Sequence, residues 1–144
     1  MAKTVATILG VAFILVGLIG FVMPGFLGTH LSMAHNLVHI ISGAVALYLG
    51  LKGTLAAART FCLAFGAVYL LLGIAGFLFG GGGQHTVAGV PASHGTDSRL
   101  LAVIPGTLEL GTMDHVVHVL LGLVFLIGAL LTKGDVRAAV RDAT

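Results

Sequence analysis

Two short polar turns hold most of the residues in this chain that could do chemistry. The first reads His35-Asn36-Leu37-Val38-His39 and the second reads Asp114-His115-Val116-Val117-His118. A glycine follows four residues after the last histidine of each, Gly43 and Gly122. Aligned on those glycines, His39 matches His118, Asn36 matches His115 and His35 matches Asp114; His35 and His115 are not matched to each other. His35 and His39 stand at i and i+4, the spacing that places two imidazoles on one helical face within reach of one ion. His115 and His118 stand at i and i+3, with Asp114 beside them. A metal set drawn from His35, His39, Asp114, His115 and His118 would suit zinc, copper or nickel. The matched pair His39 and His118 is also the candidate for tetrapyrrole binding, as axial ligands of a haem or as ligands to chlorophyll magnesium.

The same residues have a structural use. The first turn of a helix has free amide donors. Ser32 and Thr112 stand three residues before His35 and His115 as candidate caps, with Asp114 the alternative for the second helix. Inward-facing His39 and His118 would each bond a carbonyl freed by the Pro24-Gly25 or Pro105-Gly106 loop.

The elements that position these turns are apolar. Of 144 residues, 58% are hydrophobic and 8% charged, where soluble domains carry about a quarter charged residues; the mean hydropathy is +1.12. Four stretches, Thr4–Met23, Ala34–Leu51, Thr60–Phe79 and Asp114–Leu131, approach the roughly 20 residues needed to cross a bilayer. The first is longer than a signal-peptide core and lacks a small-x-small cleavage site, so it is read as a retained helix. The expected fold is an all-α membrane protein with four transmembrane helices.

Those helices read as two tandem hairpins. Ala2-Lys3-Thr4 is echoed by Ala58-Arg59-Thr60, and an unbroken register then pairs Gly10 with Gly66, Phe13 with Tyr69, Gly17 with Gly73 and Gly20 with Gly76. The chain is therefore expected to be one membrane domain, 1–144, with internal repeats 2–51 and 58–132, a Gly-rich outer loop 80–113 and a cytoplasmic tail 133–144. Each unit has two crossings, so a pseudo-two-fold axis along the membrane normal is expected. The glycines form stripes suited to close helix packing in lipid, and Gly43 and Gly50 continue the face of His35 and His39. In the long loop, His85, His94, Asp97 and Arg99 follow the glycine run, and Leu100–Ile104 is expected to dip to the membrane surface. The tail from Asp135 reads as a short amphipathic helix.

Six of the seven Lys and Arg residues lie at the N-terminus, between the second and third stretches, or in the tail. The positive-inside rule then puts both termini in the cytoplasm and both histidine turns outside. This distribution is a topology signal and gives no reason to expect nucleic-acid binding. Cys62 lies inside the third stretch and reads as a packing residue. There is no Gly-x-Ser-x-Gly, His-Glu-x-x-His or phosphate loop, and no charged residue in the middle of any stretch, so no enzyme or charge-relay transporter is expected.

The Ala-Lys-Thr opening, the Gly-rich first helix, the His35–His39 turn, the Gly66–Gly76 helix with Tyr69, and the Asp114…His118…Gly122 turn resemble the bacterial membrane-protein family called domain of unknown function 4383. The resemblance covers nearly the whole chain outside the Gly-rich part of the long loop. It implies four helices in a bacterial plasma membrane and brings no catalytic residue to carry over. The expected function is a structural or accessory component of a larger membrane complex, with self-association a further possible partnership. The alternative is an outward-facing metal or tetrapyrrole site at the histidine turns.

Overall fold

The four apolar stretches form helices whose starts are supplied with acceptors for their free amides. The computed structural model describes residues 1–87 and 90–132, with the backbone alone at 93 and 94. It contains α1 (Ala2–Gly20), α2 (Met33–Leu51), α3 (Leu55–Phe79) and α4 (Thr112–Leu131). All four are long and apolar enough to cross a membrane. Ser32 caps α2 by accepting from His35 N–H, and Thr54 caps α3 by accepting from Ala57 N–H. The tail expected to form an amphipathic helix, with Lys133, Arg137 and Arg141, lies outside the described residues, as does the side chain of His94.

α1 packs along α2 and α3 along α4, and glycine lets the backbones meet. A methyl group on Gly10 would lie 2.7 Å from Leu47 N and 2.9 Å from Gly43 O, and one on Gly122 would lie 2.6 Å from Leu70 N and 2.9 Å from Gly66 O. Side chains there would force the helices apart, and close approach through small residues is what holds helices together in lipid. The same contact recurs in both hairpins. Gly17 faces the carbonyl of Asn36 and Gly73 that of His115, while Gly20 and Gly76 receive the side chains of Asn36 and His115.

Between the hairpins the core is aromatic. Phe13 of α1 stacks on Tyr69 of α3 at 5.4 Å between ring centroids, and Phe125 of α4 meets both, at 5.9 and 6.2 Å. At the end away from the histidine turns, three ties fasten the helices. Ala2 N–H donates to Thr132 Oγ1 at 2.7 Å, Cys62 Sγ–H to Ala2 O at 3.6 Å, and Arg59 Nε–H to Ala129 O at 3.1 Å. Arg59 thereby places a cation among the free carbonyls at the C-terminus of α4, where the helix dipole favours one.

The chain is not all-α. Where a Gly-rich loop over 80–113 was expected, the structure has three antiparallel strands in the order β1-β2-β3: β1 (Gly81–Val87), β2 (Val90–Ile104) and β3 (Leu108–Leu110). Gly81 pairs with Leu100 and Gln84 with Thr96; Leu101 pairs with Leu110 and Ile104 with Leu108. The piece Leu100–Ile104, expected to dip to the membrane surface, is thus the second half of β2. Two physical facts explain the correction. A glycine run accepts extended backbone as readily as any other, and Pro105-Gly106 is a reversing turn between apolar segments. Thr107 N–H donates to Ile104 O at 3.0 Å across it, with Gly106 at φ 72°, the left-handed geometry of the third residue of a type II turn. A sheet with open edges has backbone groups that hydrocarbon does not satisfy, and this one caps the helix ends.

Candidate functional site

The end of the bundle beneath the sheet is a layer of buried histidines and carboxylates. It is assembled by the segment 29–32, which runs under the sheet into α2. Leu31 N–H donates to Pro24 O, Ser32 Oγ–H donates to Thr107 O at 2.7 Å, and His30 N–H donates to Asp114 Oδ2 at 2.9 Å. These bonds draw on the first Pro-Gly loop, the β2–β3 turn and the start of α4, so two distant regions of the chain, 24–32 and 107–114, meet here.

Asp114 is the hub of this junction. Its Oδ2 also accepts Gly111 N–H at 2.8 Å, the N-terminal amide of α4, and Oδ1 lies 4.0 Å from His35 Nδ1. A carboxylate at a helix N-terminus receives both free amides and a favourable dipole. His35 Nδ1 lies 2.8 Å from His30 O. A carbonyl only accepts, so the neutral form of His35 holds its proton on Nδ1 and presents a lone pair at Nε2.

The structure brings some of the sequence-predicted site residues together and separates others. His35, His39 and His118 are neighbours: His35 is 4.5 Å from His39 and 6.0 Å from His118 between ring centroids. His39 stacks on Phe13 at 5.4 Å and His118 stands edge-on to Tyr69 at 5.0 Å. With the Phe13–Tyr69 stack these contacts close a circuit of five rings, in which His35 is the imidazole shared by the matched pair. Asp114 reaches the circuit only through His35. His115 is elsewhere: its Nε2–H donates to Arg99 O in β2 at 2.6 Å, and its ring lies against Gly76. The carbonyl ties expected of His39 and His118 are therefore made by His35 and His115. The Nδ1 atoms of His39 and His118 are buried without a hydrogen-bond partner among the described residues, which costs about 1–3 kcal/mol each.

His35 and His118 also line a lateral cleft of about 570 Å³ between α2 and α3. Its walls are Val38, Ile41 and Val45 on one side and Phe65, Val68 and Leu72 on the other, with Val103, Leu108 and Leu110 of the sheet over its end. Ser42 and Tyr69 complete the inner wall, and among the described residues no Asp, Glu, Lys or Arg lines it. The groove between α1 and α4 on the other side is nearly closed. It leaves about 70 Å³ among residues that include Val16, Leu27 and Val117, with His35, His39 and His118 at its floor.

A second cluster sits above the ring circuit. His30, His85 of β1 and Glu109 of β3 are buried, and one ligand atom of each lies within 4.8 Å of the others. His30 and His85 are stacked, 4.0 Å between centroids and 24° from parallel. Both oxygens of Glu109 are held: Oε2 accepts Thr86 N–H at 2.7 Å, and Oε1 accepts Thr86 Oγ1–H and Gly106 N–H, each at 2.8 Å. Burial works to raise the Glu109 carboxyl, but these donors and nearby His30 outweigh it and hold it below the ordinary glutamate value. Asp97 Oδ2 lies 3.7 Å from His85 Nε2. Burial is again the opposing influence there; bonds from Thr112 and from Arg99 N–H, with His85, leave the Asp97 carboxyl below its ordinary value.

Neither His30 nor Glu109 has a spacing that would mark it in sequence. The packing of the sheet over the 29–32 segment brings residues 30, 85 and 109 together, and Gly111 is the nearest available signal. A methyl group there would strike Asp97 and lie 2.9 Å from His85 Nε2, so the close approach of these side chains to α4 requires glycine. No family model, curated protein or solved structure matches the chain.

Proposed function

We propose that the protein binds an uncharged, chain-bearing lipophile in the cleft between α2 and α3. One observation carries this reading: the two grooves between the hairpins differ, one nearly closed and the other an apolar cleft of about 570 Å³. That volume lies within the roughly 300–1,000 Å³ of small-molecule sites, which combine apolar walls with a few convergent polar groups. Here His35, Ser42, Tyr69 and His118 are those groups, and the lone pair on His35 Nε2 suits a hydroxyl donor. The absence of a charged lining residue disfavours a phosphate or carboxylate head in the cleft, since a buried charge without a partner is costly. Prenyl quinols and neutral glycerolipids share the required chemistry.

The structural or accessory role expected from sequence would use the same cleft for a partner's helix. Helices in lipid pack through small residues, whereas the facing walls here are Val38, Ile41, Val45, Val68 and Leu72, with no glycine among them. Branched walls suit a flexible chain better. In this reading the protein sits in a bacterial plasma membrane with Lys3, Lys52 and Arg59 on the cytoplasmic side and the sheet outside.

Native mass spectrometry of protein extracted in mild detergent tests the reading. Retention of a prenyl or neutral lipid by wild type, and its loss from the cleft-filling variant Val68→Phe, is the expected result. Recovery without such a lipid, or only together with a larger membrane partner, overturns it.

A further inference from the structure

The trio beneath the sheet was assigned no role by the cleft, and its composition is that of a metal site. Two imidazoles and one carboxylate form the donor set of many catalytic zinc centres and of open-sided iron centres. The donors come from three separate segments: His30 from the link into α2, His85 from β1 and Glu109 from β3. We infer that His30, His85 and Glu109 hold one divalent transition ion of the zinc class between the sheet and the bundle.

Distance, preorganisation and burial support this. Bonds of 2.0–2.1 Å in a tetrahedral site set ligand atoms roughly 3.3 Å apart, so a trio within 4.8 Å closes by no more than about 1.5 Å. Side-chain rotation alone covers such a distance. Glu109 enters already fixed, because Thr86 and Gly106 occupy three of its roughly four lone-pair sites and leave one for an ion. Asp97 stands beside His85 as the outer carboxylate that orients a ligating imidazole, and is itself anchored by Thr112 N–H at 2.9 Å and Arg99 N–H at 2.8 Å. All three donors are 5% exposed or less, so an ion would be shielded from competing water. Three protein ligands leave one tetrahedral position for water or a small anion.

The alternative is a stacked histidine pair beside a carboxylate, holding the sheet in place without an ion. Zinc alone and cobalt(II) alone serve as probes on the full chain in detergent, stripped with chelator and dialysed. Competition with a chromophoric chelator measures affinity, and the visible spectrum of the cobalt form reports coordination geometry. The expected result is one equivalent of zinc, with a cobalt spectrum of the intense four-coordinate type. Glu109→Gln and His85→Phe, which preserve shape and ring stacking respectively, should each weaken binding by more than about 10-fold, the lower bound for losing even an outer-sphere partner. His39→Phe, which changes the sequence-predicted set and leaves this trio intact, should bind as wild type does. Size-exclusion profile and helix content show which variants fold. Sub-stoichiometric zinc in wild type overturns the inference whatever the variants do, as does unchanged affinity in a folded Glu109→Gln or His85→Phe protein. Lipid retention is measured separately, so failure here leaves the cleft reading standing.

Discussion

Gly76→Ala is the sharpest test of how the second hairpin is held. A methyl group at Gly76 would collide with Nδ1, Cε1 and Cγ of His115. The ring must move, and its Nε2–H bond to Arg99 O, 2.6 Å long, goes with it. Overpacking costs about 1–3 kcal/mol, and leaving a buried carbonyl or imidazole unpaired costs about 1–3 more. Alanine returns about 1 kcal/mol through its helix propensity, so the net loss should be about 1–5 kcal/mol. Reversible unfolding in mixed micelles, followed by helix content against the fraction of denaturing detergent, measures it. The decisive arm is the double variant. In His115→Ala the ring atoms nearest the added methyl are gone, so Gly76→Ala should become neutral or stabilise by up to about 1 kcal/mol. Gly82→Ala, where nothing lies within 4 Å, is the control. An unchanged stability in Gly76→Ala, or an equal loss in both backgrounds, would refute the reasoning.

Two further outcomes follow from single residues. Asp114→Ala removes the acceptor for His30 N–H and Gly111 N–H; at about 1.5–3 kcal/mol for each charge-assisted bond, the loss should be about 3–6 kcal/mol. Faster amide exchange at those two positions should accompany it, and protection equal to wild type would count against Asp114 as the hub. Cys62 is fully buried beside Ala2 O and should resist maleimide in native micelles while labelling completely after denaturation; rapid native labelling would show that the ends of α1 and α3 are not packed as described.

How much of this was legible in the sequence differs from element to element. The four helices follow from apolar length, and Gly10, Gly43, Gly66 and Gly122 lie where the backbones touch because a stripe of small residues has no other use in lipid. The sheet was missed for a physical reason. The glycine run Gly80–Gly83 carries no side-chain alternation, and β1 gains its order from pairing with β2 rather than from its own residues. The local signal for the second turn, Pro105-Gly106, stands between Leu100–Ile104 and Leu108–Leu110 much as Pro24-Gly25 stands before the first histidine turn, and neither loop by itself marks a strand. Both are in fact reversing turns: Phe26 N–H bonds Met23 O as Thr107 N–H bonds Ile104 O, each at 3.0 Å. The trio His30, His85 and Glu109 was beyond reach, because no helical or strand spacing relates residues that only a sheet packed over the bundle brings together.

The matched positions Asn36 and His115 show how the two halves were adapted to that sheet. Each side chain is seated on a glycine of its own hairpin, Gly20 or Gly76, and each leaves the seat toward a backbone carbonyl. The amide of Asn36 is short and finds Leu31 O within its own hairpin, at 3.4 Å. The imidazole of His115 extends farther and finds Arg99 O in β2, at 2.6 Å. The difference in reach is the difference between closing a short loop and fastening a sheet of three strands to the helix below it. The bond to Arg99 O gives His115 a structural use that needs no ion. The ion site proposed above belongs to His85 and Glu109 of the sheet and to His30 of the link into α2, and His115 bears on it by holding the sheet in place.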